Sequence, residues 1–142
     1  MITAERHVHT DPERLWGLVS QVSRWAELLP TVDDVTPRTS GQSPSVGARY
    51  ALKQPGLPVL VYEITDWRPG AAFTWVATSP GVRTVGTHEV GPAPDGCTLR
   101  LGLHWEGPLT PLVERLFGRR TDRFVQQEAD TFAGLAEELA RS

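Results

Sequence analysis

Short segments in which apolar and polar residues alternate occupy the middle of the chain. Turn residues separate them, and this pattern predicts a β-sheet. A loosely alternating segment at residues 2–10 comes first. Six segments rich in Val, Thr, Tyr, Trp and Leu follow: Val32–Pro37, Val46–Gln54, Pro58–Arg68, Ala72–Thr78, Val82–Val90 and Cys97–Glu106. The turns predicted between them are Ser40-Gly41, Pro55-Gly56, Pro69-Gly70, Pro80-Gly81 and Pro94-Asp95-Gly96. Links of this length join antiparallel neighbours, so the pattern predicts a meander.

The last of these segments alternates most clearly and indicates how the sheet is buried. One face carries Leu99, Leu101, Leu103 and Trp105, and the other carries Arg100, Gly102 and His104. Antiparallel sheets built from such strands pack one face on an apolar layer and leave the other face in water. The sequence therefore predicts a sheet with one buried face.

The residues after the first strand predict two short helices. Asp11 can accept hydrogen bonds from the free N–H groups of a first helical turn, and Pro12 fits the first helical position. Apolar side chains follow at helical spacing, namely Leu15, Trp16 and Val19. A second short helix is predicted over residues 23–29, where Pro30 ends it.

Residues 109–140 predict one long helix with an apolar face. The side chains that share this face by steps of three or four are Phe117, Thr121, Phe124, Glu128, Thr131, Leu135 and Leu139. The opposite, solvent face carries Arg115, Arg119, Arg123, Asp130 and Glu137. A curved antiparallel sheet has one concave face to bury, and a single long helix can fill it.

Composition and charge narrow the class of protein. The 142 residues suit a single domain over residues 1–142, and 39% hydrophobic with 22% charged residues is a globular mixture. The net charge of −3 gives no general attraction to nucleic acid, so we expect no nucleic-acid partner. No apolar run approaches the ~18 residues of a membrane helix, and the N-terminus has no signal-peptide pattern. We therefore expect a cytoplasmic protein without stable membrane insertion.

Several short motifs occur in a particular order along nearly the whole chain. They are Asp11-Pro12-x-x-Leu15-Trp16, Trp25 with Leu29-Pro30, Val46-Gly47-Ala48-Arg49-Tyr50, Trp67-Arg68-Pro69-Gly70 with Phe73-Thr74-Trp75, Thr87-His88-Glu89-Val90, and Trp105-Glu106-Gly107-Pro108-Leu109. In this order they resemble the polyketide cyclase/dehydrase-like group of the START and Bet v 1 (SRPBCC) superfamily. The resemblance implies an α+β helix-grip fold, with a curved antiparallel sheet of about seven strands around a long C-terminal helix and two short helices after the first strand. It also implies an internal apolar cavity, but it fixes no activity.

Glu128 and His88 are the two candidates for catalysis. Glu128 lies in the middle of the helix face that should point at the sheet, where a carboxylate needs a partner, a water-filled cavity or a proton. It can serve as a general acid or base or anchor a ligand hydroxyl. The alternatives are a structural ion pair and a rotation of the helix beyond Gly118. His88 shares a strand phase with Thr84 and Gly86 and can relay a proton if it faces inward. A structural or exposed histidine is its alternative.

Large flat side chains can line a slot for an apolar ligand, with their N–H and O–H groups as polar contacts. The predicted ligand-binding residues before the long helix are Trp25, Tyr50, Tyr62, Trp75, Leu103 and Trp105; for each aromatic residue the alternative is ordinary hydrophobic core. Those on the long helix are Arg120, Thr121, Phe124 and Thr131; for the two threonines the alternative is a hydroxyl that bonds the backbone one turn back. Arg120 lies at the shoulder of the apolar face, where it can reach an anionic ligand group. The neighbouring arginines interleave with acidic residues and are typical of a solvated face.

The pattern leaves two main functions open. The first is a carrier or sensor, monomeric or homodimeric, for a hydrophobic small molecule such as a lipid, an isoprenoid or an aromatic polyketide. The alternative is a cofactor-free polyketide cyclase or dehydratase that uses acid and base groups in the same cavity. Scarcity of convergent polar residues favours the binder, and a third option is an interaction module whose aromatics fill the groove. No nucleotide, metal or nucleophile motif occurs, so we expect no cofactor and no metal.

Overall fold

Seven strands and three α-helices form the part of the chain that the computed structural model describes, residues 1–38 and 43–142. The strands are β1 (Ile2–Val8), β2 (Asp34–Pro37), β3 (Arg49–Lys53), β4 (Leu60–Arg68), β5 (Ala72–Ser79), β6 (Val82–Ala93) and β7 (Gly96–Glu106). The helices are α1 (Pro12–Val19), α2 (Trp25–Leu28) and α3 (Thr110–Arg141), with a 3₁₀ turn at Val22–Arg24 before α2. The predicted turn at Ser40-Gly41 lies outside the described residues.

All seven strands belong to one antiparallel sheet with the order β1-β7-β6-β5-β4-β3-β2. Strands β2 to β7 follow one another as the predicted meander, and β1 pairs with β7 at one edge. Helix α3 contacts β1, β7 and α1. The predicted α+β helix-grip fold, a curved antiparallel sheet around a long C-terminal helix, is confirmed.

The two short helices form where the sequence predicts them, and the start of the first has the expected cap. Asp11 Oδ1 accepts a hydrogen bond from the Arg14 backbone N–H at 2.9 Å, and Pro12 is the first residue of α1. The second predicted helix is divided into the 3₁₀ turn and α2, and it ends at Leu28, ahead of Pro30. These two pieces lie directly before β2 and contact it.

Several strand ends differ from the prediction. Strand β3 begins at Arg49 rather than Val46, because Gly47 adopts a φ of +93° in the preceding turn. Strand β6 continues to Ala93 and β7 begins at Gly96, which makes this hairpin longer than predicted. Pro92 is tolerated in β6 because pairing with β5 ends at Glu89, so this segment has a partner on one side only.

The buried face of α3 is turned by about one residue from the predicted face. Its buried side chains are Thr121, Val125, Ala129, Phe132 and Ala136. Of the predicted face, only Thr121 is buried, Leu139 is 48% exposed, and the remaining residues are half-buried at its shoulder. Small residues explain the difference, because alanines allow the helix backbone to lie close against the layer beneath it. A pattern built on large side chains does not detect them.

The core joins the sheet to α1 and α3. Leu15, Val19, Phe73, Leu99 and Phe132 are each at most 1% exposed and represent α1, β5, β7 and α3. This core fills one part of the space between sheet and helix. The remaining part, near the N-terminal half of α3, is open and contains the site described next. Among the described residues, no helix is both long enough and apolar enough to cross a membrane.

Candidate functional site: a two-chambered cavity

Two adjoining cavities lie between the sheet and α3. The larger has a volume of about 190 Å³, and we name it the outer chamber; it is lined by Leu57, Leu60, Val82, Trp105, Val113 and Phe117. The smaller has a volume of about 40 Å³, and we name it the inner chamber; it is lined by Trp25, Trp75, His88, Phe124 and Glu128. Gln54, Tyr62, Leu103 and Thr121 line both. These shared residues make the two chambers one site.

The outer chamber is mainly apolar. Leu57 and Pro58 come from the loop between β3 and β4, and Val113 and Phe117 come from the first turns of α3. The polar side chains in its lining are Gln54, Ser79, Thr84 and Thr121, with the Tyr62 hydroxyl. No charged side chain is among its described lining residues. This chamber therefore suits a hydrocarbon or aromatic group.

Glu128 is the charged residue of the inner chamber. Its Oε1 accepts hydrogen bonds from Thr31 Oγ1 at 3.0 Å and from Gln54 Nε2 at 3.3 Å. Burial raises the pKa of the carboxyl from 4.5 to about 7, and the Thr31 hydrogen bond opposes that rise. Near neutral pH the carboxyl is consequently present in both protonation states.

Tyr62 stands beside this carboxyl and remains a hydrogen-bond donor. It is 4% exposed, and its ring stacks on Trp75 with centroids 4.6 Å apart and planes 24° apart. Burial and the negative charge of Glu128 both raise the pKa of the hydroxyl. The hydroxyl therefore stays protonated throughout the physiological range.

His88 faces inward and is held as a neutral ring. Its Nδ1 lies 3.2 Å from the Phe73 carbonyl oxygen, and the ring stacks on Phe73 at 4.0 Å. A carbonyl oxygen only accepts, so Nδ1 carries the proton and Nε2 is left as an acceptor. Burial lowers the pKa of His88 to about 4, and the hydrogen bond offsets part of this change. At neutral pH the inner chamber therefore contains no imidazolium.

A glycine on β6 makes room for the aromatic wall. A Cβ atom at Gly86 would lie 2.7 Å from Trp75 Nε1 and 3.7 Å from His88 Cε1. Trp25 packs edge-on to Trp75 with centroids 5.1 Å apart, and its own Nε1 donates to the Val19 carbonyl at 3.2 Å. The glycine thus allows the Trp75 indole to lie against β6.

The structure brings most of the sequence-predicted site residues together. Those that line the inner chamber are Trp25, Tyr62, Trp75, His88, Leu103, Thr121, Phe124 and Glu128, and Trp105 lines the outer chamber. Tyr50 is buried in the core, with its ring centroid 6.3 Å from Trp75, and it lines neither chamber. Thr131 lies further along α3, outside both chambers. Arg120 points away and donates to the Gly56 carbonyl at 3.0 Å.

The sequence analysis missed the apolar residues of the outer chamber, which have no signal beyond that of a hydrophobic core, and it also missed Thr31, Gln54 and Gly86. Thr31 and Gln54 hold the Glu128 carboxylate, but each is a polar residue beside a turn signal, which carries no functional pattern. Gly86 had a usable signal, since a glycine inside a strand often marks the close approach of another group. Within residues 1–38 and 43–142, no three His, Cys, Asp or Glu side chains gather as a metal site.

Known proteins share this fold and this sequence pattern. The family model described as polyketide cyclase/dehydrase and lipid transport matches residues 1–137. No curated protein matches the chain in sequence. A hypothetical protein from Helicobacter pylori superposes with a TM-score of 0.80 at 10% identity, over 94% of this chain and 86% of that one.

Two further solved structures have the same architecture. A START superfamily protein from Mycobacterium smegmatis gives a TM-score of 0.70 at 16% identity, over 97% of each chain. Norcoclaurine synthase from Thalictrum flavum, solved as a point mutant with a transition-state analogue, gives 0.73 at 18% identity, over 99% of this chain and 95% of that one. At these identities the likeness shows a common fold.

Proposed function

The chain belongs to the polyketide cyclase/dehydrase and lipid-transport family, and from this premise we propose that it binds an apolar small molecule with one polar end. The observation that supports the proposal is that the lining of the cavity changes from apolar in the outer chamber to polar in the inner chamber. An apolar outer chamber of about 190 Å³ leads to an inner chamber of about 40 Å³ that holds Glu128, His88 and the Tyr62 hydroxyl. The apolar part of the ligand occupies the outer chamber, and its polar end contacts these groups.

The volume of the cavity limits the size of the ligand. Pockets for drug-sized molecules are roughly 300–1,000 Å³, and the outer chamber is smaller, at about 190 Å³. The ligand is consequently a compact molecule, such as one to three aromatic rings, an isoprenoid unit or one end of a longer acyl chain. The family includes carriers as well as enzymes by its description, and this chemistry serves a carrier or sensor directly.

A binding experiment with a blocked cavity tests this proposal. N-phenyl-1-naphthylamine is an apolar dye whose fluorescence rises when it leaves water, and we expect saturable binding to the wild-type protein. Leu103→Trp places a large ring where both chambers meet, and should abolish that binding. Leu116→Trp is the matched control, because Leu116 is 62% exposed and lines neither chamber.

The two variants separate cavity binding from surface binding. Equal loss of dye binding in both variants, or no loss in either, would contradict binding between sheet and helix. Overpacking a filled site typically costs about 1–3 kcal/mol, so circular dichroism and thermal unfolding should accompany the binding curves. A folded Leu103→Trp protein that still binds the dye refutes the proposal.

A second function, cofactor-free proton-transfer catalysis, is favoured by one observation. Glu128 and His88 line the same inner chamber, and the pKa of Glu128 is about 7. A group with that pKa can both donate and accept a proton near neutral pH, as aldol cyclisation followed by loss of water requires. Glu128 would serve as the acid and base, and His88 Nε2 as the acceptor for a ligand hydroxyl.

Turnover of a synthetic poly-β-ketone tests the catalytic alternative. Mass spectrometry would follow loss of water, and the wild-type rate should exceed that of Glu128→Gln by about 10²–10⁴-fold if the carboxyl moves the proton. Glu138→Gln, an exposed change on the same helix, is the control. Equal rates for the wild type and Glu128→Gln would rule out this role and leave the binding function in place.

A further inference from the structure

The carboxyl of Glu128 has an unused oxygen. Both of its hydrogen bonds, from Thr31 and Gln54, go to Oε1, which leaves Oε2 without a hydrogen-bond partner among the described residues. The polar atoms that are fully buried and unpartnered in the described chain belong to His104 and Thr110. Oε2 therefore contacts open space, and Glu128 lines the inner chamber.

The same carboxyl has no positive partner in the site. Neither chamber has an Arg or Lys among its described lining residues, and no ion pair to Glu128 occurs in the described chain. His88 does not supply a positive charge, since its ring is neutral at pH 7. A carboxylate that is largely withdrawn from water and has no counter-ion is costly, so a ligand that brings a cation gains more here than in water.

Aromatic rings surround the position that such a cation would occupy. Trp25, Tyr62, Trp75 and Phe124 all line the inner chamber. Aromatic faces attract ammonium groups through their quadrupoles, and more strongly where water is excluded. A volume of about 40 Å³ accommodates a small head group while the apolar part stays in the outer chamber.

We propose that the polar end of the ligand is a protonated amine, which pairs with Glu128 Oε2 inside the aromatic wall. This inference rests on the proposed binding function and adds the ligand class to it: a compact apolar molecule with one primary or secondary amine. Gln54 and Thr31 act as positioning residues, because they fix Oε1 and direct Oε2 to the chamber.

Matched ligands with one carbon skeleton test the proposal. 4-Phenylbutylamine, 4-phenylbutan-1-ol and 4-phenylbutyrate differ only in the polar end, and each would be measured at pH 8 by displacement of N-phenyl-1-naphthylamine. The amine should bind at least about ten-fold more tightly than the alcohol, because a charge-assisted hydrogen bond replaces a neutral one. The carboxylate should bind more weakly than either, because it meets Glu128.

Glu128→Gln assigns the amine preference to this carboxyl. In that variant the amine should lose its advantage and bind no more tightly than the alcohol, whereas the exposed control Glu138→Gln should keep the wild-type preference. An amine preference that survives Glu128→Gln would overturn the proposal. If that variant does not fold, the proton release described next still tests the pairing with Glu128.

Proton release gives a second, independent measurement. An amine selects the ionised carboxyl, so binding at pH 7 should release roughly half a proton per site, seen by calorimetry in buffers of different ionisation enthalpy. The other titratable groups that line the chamber, Tyr62 and His88, are both neutral at this pH and release none. Absence of proton release from a bound amine would contradict the pairing.

The binding measurements separate failure of the proposed binding function from failure of the amine assignment. If the dye, the alcohol and the amine all fail to bind, the proposed binding function is wrong. If the dye and the alcohol bind and the amine shows no preference, the cavity function stands and the amine assignment is wrong.

Discussion

Glu128→Gln should make the protein less sensitive to alkaline pH. Glutamine keeps the size and the hydrogen-bond acceptor of glutamate but cannot ionise, so the variant removes one titration from an otherwise similar cavity. Burial raises the pKa of Glu128 from 4.5 to about 7 in the folded protein. The folded state therefore binds this proton more tightly than the unfolded state does.

The sign of the pH effect follows from that difference. A carboxyl with a raised pKa stabilises the fold most when it is protonated, below pH 4.5, and this stabilisation is lost as pH rises through about 7. At 1.36 kcal/mol per pKa unit, the rise amounts to roughly 3 kcal/mol of unfolding free energy lost between pH 4.5 and pH 8. That is a large share of the roughly 5–15 kcal/mol that holds a small domain together.

Urea unfolding at pH 5, 6, 7 and 8 measures this effect. The difference in unfolding free energy, Glu128→Gln minus wild type, should rise with pH by about 2.5 kcal/mol between pH 5 and pH 8. Taking the difference cancels His88, whose lowered pKa acts in the opposite direction. Glu138→Gln, an exposed change on the same helix, should show a flat difference. A flat difference for Glu128→Gln as well would refute the assignment of a buried, protonatable carboxyl.

Three further predictions concern the wall of the cavity and the first helix. His88→Asn should reduce the stability that the protein loses on acidification. The neutral imidazole of the wild type contributes fully to the unfolding free energy above pH 6.5, and roughly 3 kcal/mol of this contribution is lost as the pH falls to about 4. Equal acid sensitivity of variant and wild type in urea unfolding would contradict a buried neutral ring. Gly86→Ala should displace the Trp75 indole, because the new Cβ would lie 2.7 Å from its Nε1. We expect a loss of about 1–3 kcal/mol in unfolding free energy and a change in tryptophan emission. An unchanged spectrum and melting temperature would show that the contact is absent. Asp11→Ala should cost about 1 kcal/mol in thermal unfolding by removing the 2.9 Å cap to Arg14 N–H, and Asp11→Asn should restore most of it; equal stability of Asp11→Ala and wild type would exclude the cap.

The fold could be predicted because its signals are local. Glycine and proline mark the turns, and the alternation in β7 shows which face is buried, so the meander can be derived without long-range information. The face of α3 was predicted less accurately. Ala129 and Ala136 lie in the buried line, and close packing of small residues depends on the sheet beneath them rather than on the pattern of large side chains.

Site residues could be predicted from the sequence only where a side chain differs in polarity from its neighbours or where strand alternation gives its direction. A carboxylate among apolar helix positions identifies Glu128 from sequence, and strand phase identifies His88. Thr31 and Gln54 reach Glu128 across 97 and 74 positions of the chain, so their roles depend on the tertiary structure. Thr131 fits the predicted face but lies outside the cavity, because Glu128 is the last residue of α3 in the described lining of the chambers.

The most direct test of the central claim is to locate a bound apolar ligand by NMR. In protein with labelled Leu and Val methyl groups, N-phenyl-1-naphthylamine should give nuclear Overhauser effects to Leu60, Leu103 and Val113, which line the cavity. It should give none to Leu112 and Leu116, which are 51% and 62% exposed on the outside of the same helix. Contacts confined to Leu112 and Leu116, or no contact to the cavity methyl groups at saturation, would contradict a ligand site between sheet and helix.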